Sequence, residues 1–406
     1  MKRIMRINKT DSLLFLLFSC WLLVDAINGV LIRSGFISIS QFFKLFIAFI
    51  LIIRCRRKNR VMTVLILSVI YLMFYLPLVG LNGGSPQDSA TLVSKLISSL
   101  LFFVYFLEVK KTDEKYFIHK VSIVIACNFI VFAINMVLGN MGIGYNAYED
   151  NDGFGSRGFF FSGNELAGVV VTLFPWLFYY IKTKYSFPIY VLSGGVLLFL
   201  VFTLSTKSAI LATGILFLTI NFYYGNKKEK MLTIVLSILI IGYVAIKVEQ
   251  FLSSDNPIMV RLSYSLDKNG LADALTSSRL IYWEEERLSY YKADITAKIF
   301  GLGGNKSVEM DPLDALLNCG VVGLVFLVMM YIKLLYYPLK KNYRHHQYRM
   351  VVFYSNALLV FISMIAGHML FSGMAGMFVA LTNAILYEPQ LRKRPLALLV
   401  NDNKKR

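Results

Sequence analysis

Charge is scarce in this chain. Only 16% of its 406 residues are Asp, Glu, Lys or Arg, against ~25% in an ordinary soluble domain, while 57% are apolar. That balance excludes two soluble domains, the first reading of such a length. Cysteine is equally sparse. Cys20, Cys55, Cys127 and Cys319 lie in or beside apolar runs with no CxxC spacing, which favours packing thiols over a disulfide framework or a metal site. No low-complexity tract or internal repeat stands out. HExxH, a GxSxG elbow and a dinucleotide fingerprint are all absent, and Gly301 to Ser307 only superficially resembles a phosphate loop because the GxxxxGK[ST] spacing is missing. No cleavable leader is expected either: the apolar run after Lys9 is too long for a signal h-region and lacks a small-residue cleavage site. Neither a metal nor an organic cofactor is implied by any of these patterns.

What is present is hydrophobic length. At about 20 residues per span, the apolar content suffices for roughly eleven or twelve membrane crossings. Apolar runs lie at about 12–32, 36–53, 61–81, 92–109, 116–138, 164–181, 187–204, 208–224, 231–248, 312–336, 350–371 and 373–387. The expected fold is therefore all-α: a polytopic integral membrane protein of about twelve transmembrane helices, forming one membrane domain over 1–406. The connections alternate between short basic ones, such as Arg54 to Arg60 and Lys227 to Lys230, and neutral or acidic ones. Of the 42 Lys and Arg residues, 27 fall in the first kind and 10 in the second. The positive-inside rule then puts both termini in the cytoplasm, and the net charge of +18 becomes a basic inner rim rather than a nucleic-acid surface.

Two connections are long, and both fall on the outer side. Gly139 to Gly163 is rich in Gly, Asn, Asp and Tyr. The larger, 249–311, separates the ninth and tenth spans and holds one expected helix, which Ser277 or Ser278 can cap and whose Leu280, Trp283, Leu288 and Tyr291 make a partly apolar stripe. That helix suits either a resting place on the outer surface or a lid over a site.

Charges at membrane depth cost about 2.5 to 3.5 kcal/mol each on insertion scales, so those that gather are candidates for function. Arg157 stands just before the sixth span, Lys207 at an outer turn, Arg279 at the start of the loop helix, and Glu309, Asp311 and Asp314 where the tenth span begins. Arg157 and Lys207 also suit snorkelling anchors, and Glu165 a favourable first-turn carboxylate. Asp311 reads as an N-cap, because Pro312 suits the first helical position. Glu309 has no such role, which singles it out. His119, His345 and His346 belong to the inner surface, whereas His368, near the outer end of the eleventh span, lies at the depth of the cluster. Asp25, Lys44, Lys95, Glu108 and Lys333 lie within or near spans, where pairing or snorkelling explains most of them.

The order Arg157, Gly163-Asn164-Glu165-Leu166-Ala167, Ser205-Thr206-Lys207-Ser208, Ser278-Arg279 with Trp283, Phe300-Gly301-Leu302-Gly303, and Glu309-Met310-Asp311-Pro312-Leu313-Asp314 with Gly320 and Gly323 resembles the O-antigen ligase and Wzy-type polysaccharide polymerase superfamily. The resemblance covers about 157–323. It implies a GT-C-like membrane glycosyltransferase of the bacterial plasma (inner) membrane, taking sugar from an undecaprenyl-diphosphate-linked oligosaccharide at the outer face, with no cofactor and no nucleic acid. A chain-length regulator and a flippase of the same pathway are the implied protein partners. Ligases of this superfamily carry a histidine in the large outer loop, eleven residues before a glycine of a G-x-x-G. That spacing lands here on Glu309, counted to Gly320, and so favours the polymerase branch.

Diphosphate leaves readily once its charge is neutralised, which suits Arg157, Arg279 and Lys207. The attacking hydroxyl needs a base, for which Glu309 is the first choice, then Asp311 or His368. A ligase acting on another acceptor, and a lipid-linked oligosaccharide flippase or transporter, are the rival expectations.

Overall fold

The computed structural model describes residues 9–56, 58–147, 155–252, 279–303, 307–343, 346–365 and 367–387. Among them the secondary structure is helical throughout, with two isolated β-bridges and no strand. The helices are α1 (Lys9–Ser19), α2 (Trp21–Arg33), α3 (Ile39–Cys55), α4 (Asn59–Leu81), α5 (Pro86–Thr112), α6 (Glu114–Asn140), α7 (Gly163–Lys184), α8 (Phe187–Leu204), α9 (Lys207–Tyr224), α10 (Lys227–Leu252), α11 (Arg279–Lys292), α12 (Ile295–Phe300), α13 (Asp311–Leu339), α14 (Arg349–Ile365) and α15 (Gly376–Leu386). Among the described residues, α4, α5, α6, α7, α8 and α13 are long and apolar enough to cross a membrane. The pair α1 and α2, bent by 49° at Cys20, makes a seventh such element. The all-α, membrane-embedded expectation therefore stands in this coarser form.

Local chemistry explains the helix starts. Ser85 accepts a hydrogen bond from the Asp88 N–H ahead of Pro86, and Asp113 accepts one from the Tyr116 N–H, each satisfying a donor that the first turn leaves unpaired. Helix α7 lies at the centre, with every residue from Leu166 to Trp176 buried. It packs on α8, α9, α14 and α15, while α15 is held between α5 and α7. By contrast, α4 exposes Ile66, Leu67, Met73 and Phe74, more than half of each side chain reaching the surface. Such a helix suits hydrocarbon, since its backbone is satisfied internally and its outer side chains are apolar.

Three boundaries differ from the sequence reading. The tenth run is one helix by composition, yet α13 breaks at Gly320, whose φ of 65° is in the left-handed region. A Cβ there would come within 2.3 Å of the Ile299 carbonyl oxygen, so only glycine fits this crossing of α12 and α13. The eleventh run, 350–371, ends as helix at Ile365. Beyond it Met369, Leu370 and Phe371 are buried and apolar, which is why they read as span. The Met369 and Leu370 N–H groups go instead to the Asp311 carboxylate. The twelfth run shrinks to the 11 residues of α15.

Candidate functional site

The link between α14 and α15 and the segment entering α13 lie side by side, joined by a parallel bridge between Met310 and Gly367. This pairing brings together the carboxylates of the first turn of α13 and the histidine of the link. His368 Nδ1 stands 3.2 Å from Asp314 Oδ2 and 3.9 Å from Asp311 Oδ1. On its other side, His368 Nε2 is 3.1 Å from Ser307 Oγ. Both aspartates are fully buried. They hold the loop as well as the ring: Asp314 Oδ1 accepts from the Val308 N–H at 2.7 Å, and Asp311 Oδ2 from the Met369 and Leu370 N–H groups at 3.1 and 2.9 Å. The N-cap expectation for Asp311 is corrected by this geometry. Met310 holds the cap position without a side-chain bond, and Asp311 turns its carboxylate to another segment of the chain.

Burial works to lower the pKa of His368, but the Asp314 carboxylate beside it, and next the Asp311 charge, outweigh that and hold it above the ordinary value of 6.5. A histidine placed so, with a carboxylate behind one nitrogen and a hydroxyl at the other, is oriented to exchange a proton with that hydroxyl.

Two residues along the same loop, Glu309 adopts a φ of 59°, uncommon for a residue with a side chain. Its N–H donates to Ser307 Oγ at 3.3 Å, which continues the chain from His368. Its carboxylate Oε2 accepts from Arg279 Nη2 at 3.0 Å and from Asn164 Nδ2 at 3.1 Å. Arg279 opens α11 and is buried. The positions Ser277 and Ser278, expected to cap that helix, lie outside the described residues. Four expected site residues, Arg279, Glu309, Asp311 and His368, thus belong to one connected arrangement, supported by Asn164, Ser307 and Asp314.

The other two expected cations lie a step away. The Arg157 guanidinium donates to the Phe161 carbonyl at 2.8 Å, just before Ser162 and the start of α7, and its N–H donates to the Tyr145 carbonyl. Lys207 opens α9 and is exposed. Its turn packs on the Arg157 segment, through the Ser156 N–H to the Thr203 carbonyl. Among the described residues, the arrangement around Arg279 and His368 does not extend to Lys207.

Glu165 does more than favour a helix start. Its Oε2 accepts from Ser372 Oγ at 2.5 Å and from the Met374 N–H at 3.0 Å, and Lys95 Nζ lies 3.9 Å from its Oε1. Asp25 pairs with Lys44 at 2.8 Å, and Glu108 with Lys58 at 3.5 Å. Ser307, at the end of the segment that superficially resembles a phosphate loop, carries one signal in the sequence: a hydroxyl two residues before Glu309. Among the described residues, no group of three or more His, Cys, Asp or Glu could hold a metal ion. Comparison with protein-family models, curated proteins and solved structures finds no match to this chain.

Proposed function

We propose that this protein polymerises undecaprenyl-diphosphate-linked oligosaccharide repeat units into a surface polysaccharide (O-antigen, capsule or exopolysaccharide) at the outer face of the bacterial plasma membrane. The observation that carries the reading is one loop, 307–310, along which a buried guanidinium and an aspartate-backed imidazole are joined through Glu309 and Ser307. Glycosyl transfer from a diphosphate needs both: a cation where negative charge develops and a base where the hydroxyl attacks.

In the proposed step the hydroxyl of the acceptor unit takes the place that Ser307 Oγ holds at His368 Nε2. Its oxygen forms the new bond to the anomeric carbon as the bond from that carbon to the diphosphate oxygen breaks, with inversion. The hydroxyl proton passes to His368, whose positive charge Asp314 and Asp311 stabilise. The diphosphate leaves on its lipid with the bonding electron pair, its charge met by Arg279 and, further along the loop that leads to α7, by Arg157. Lys207 completes the set of outward cations in the resemblance. Glu309, first choice as base by sequence spacing, has its Oε2 engaged by Arg279 and Asn164, so this geometry favours His368 for the proton and Glu309 as counter-ion and gatekeeper of Arg279. Twelve spans with both termini cytoplasmic, and a GT-C-like arrangement, complete the proposal. The terminal segments whose basic residues support that orientation lie outside the described residues.

Purified protein in detergent, given lipid-linked repeat units, is expected to yield polymer and free undecaprenyl diphosphate. Arg279→Ala that inserts normally should lose about 100-fold to 1,000-fold in rate, the scale of one electrostatic donor in an acyl or phosphoryl site. No polymer from the wild-type protein under these conditions, where no membrane needs crossing, would favour the flippase reading instead. Transfer to a foreign acceptor without chain growth would favour the ligase.

A further inference from the structure

Behind the His368 arm, deeper in the same end of the bundle, lie four more charges from four helices: Asp25 of α2, Lys44 of α3, Lys95 of α5 and Glu165 of α7. Lys44 and Lys95 flank Gly373 in the α14–α15 link, Asp25 pairing with the first and Glu165 with the second. A Cβ built at Gly373 would stand 3.6 Å from Lys44 Nζ and 3.9 Å from Lys95 Cε, so the two lysine side chains lie on either side of this glycine. The two ammonium groups are held differently. Lys44 meets both oxygens of Asp25, at 2.8 and 3.2 Å, and lies 5.1 Å from the centroid of the Trp21 ring. Lys95 has only the 3.9 Å contact to Glu165, whose other oxygen serves Ser372 and Met374. Among the described residues its ammonium donates no hydrogen bond.

Lys95 is nine residues into α5, ~14 Å from Pro86 by the helical rise. An ammonium at such depth that makes no hydrogen bond is costly, and its side chain remains 33% exposed. Helix α3 touches α4 and α5 only sparsely, so the lysines flank a thinly packed seam of the bundle. This is the composition of an anion seat in waiting: a partly exposed cation, a loosely attached counter-ion that keeps the resting site neutral, and a second amine across Gly373.

We infer that Lys95, with Lys44 across Gly373, seats the lipid-side phosphate of a polyprenyl diphosphate. The inference rests on the reading that the donor is lipid-diphosphate-linked. It divides the two phosphates by depth: the sugar-side phosphate lies by Arg279, where the bond breaks, and the lipid-side phosphate lies by Lys95, with the prenyl tail along the α3–α5 seam. An arriving phosphate takes Lys95 from Glu165, which keeps its bonds to Ser372 and Met374.

The test is binding of farnesyl diphosphate to the full-length protein in phosphatidylcholine nanodiscs. Lys95→Met is expected to weaken binding about tenfold or more, the scale of a lost charge-assisted hydrogen bond, and Lys95→Arg to restore most of it. Glu165→Gln, which removes the counter-ion but keeps a hydrogen-bonding oxygen for Met374, should tighten binding. That gain is the arm that survives if Lys95→Met does not insert. Equal binding by wild type and Lys95→Met overturns the seat, as does Glu165→Gln weakening binding as much as Lys95→Met, the mark of a structural ion pair. Loss of the Lys95 dependence in discs rich in phosphatidylglycerol would make a bulk lipid headgroup the occupant and also overturn it. Polymer made by Lys95→Met at the wild-type donor KM sinks the seat alone. Lys95-dependent farnesyl diphosphate binding in a protein that makes no polymer sinks the polymerase reading alone.

Discussion

Helices α3, α5 and α7 carry charge at both ends, and the two ends are built differently. At one end Arg54 grips Asp11 through two nitrogens, at 3.0 and 2.8 Å, with the Tyr105 hydroxyl added at 3.2 Å. Lys110 donates to the Ile385 and Tyr387 carbonyls where α15 ends, and Lys182 meets Glu229 at 2.7 Å. These groups face partners that close around them. At the other end Lys95 makes a single loose contact, Glu309 sits at positive φ, and the buried Asp314 Oδ2 faces His368 Nδ1 at 3.2 Å. Both ends put charge in a low-dielectric setting, where a fully bonded pair fixes geometry and an incompletely bonded one stores capacity to bind or to move a proton. Identical residue types thus act as staples at one end and, in the proposed function, as chemistry at the other.

The contrast can be broken by substitution, beginning with its largest expected consequence. His368→Asn should cut the rate of polymer formation by about 100-fold or more while the thermal midpoint stays near wild type, the range for a lost general base. Polymer at wild-type rate from this variant would return the base role to Glu309. Glu309→Gln keeps the hydrogen-bonding shape and removes only the counter-charge of Arg279, so its loss should be nearer tenfold, about one charge-assisted bond. If instead it stops chain growth while repeat units accumulate on lipid, the sequence-based assignment of Glu309 as base is the correct one. At the closed end Asp11→Asn should behave oppositely. It should lower stability by about 1 to 3 kcal/mol, moderated because Arg54 still reaches water, and leave the rate per folded molecule unchanged.

Much of this arrangement was legible in the sequence, for identifiable reasons. Every apolar run contains helix, because a segment facing lipid or a buried neighbour must satisfy its backbone internally, and composition alone reports that. Helix length was less visible. Met369, Leu370 and Phe371 are as apolar as any span, yet they follow Gly367 at a φ of 121°, and the Met369 and Leu370 N–H groups go to the distant Asp311 carboxylate. Likewise Asp311 followed by Pro312 satisfies every local rule for a cap, yet the tertiary partner prevails over the local one. Glu309 was legible because it had no local explanation. Ser307 and the openness of Lys95 were not, since each depends on which remote segment lies opposite: the link carrying His368 for one, Gly373 and the sparse α3 contact for the other.

The smallest expected effect is in pH, and here the two roles of His368 have opposite signs. Its pKa in the folded protein is raised above 6.5 by Asp314 and then Asp311, against burial and against the charge of Lys95. A raised histidine pKa contributes stability that is fully present below the unfolded value and is lost as pH rises through the folded one. In its proposed role as base, however, it must be neutral to accept a proton, so the rate should climb over the same rise in pH. As pH rises from below the ordinary histidine value through the raised one, the thermal midpoint should therefore fall slightly while polymer formation rises, both inflecting above 6.5. His368→Asn should flatten the stability limb. A wild-type rate that falls through this window, or a stability limb that persists in His368→Asn, would show that another group governs the open end.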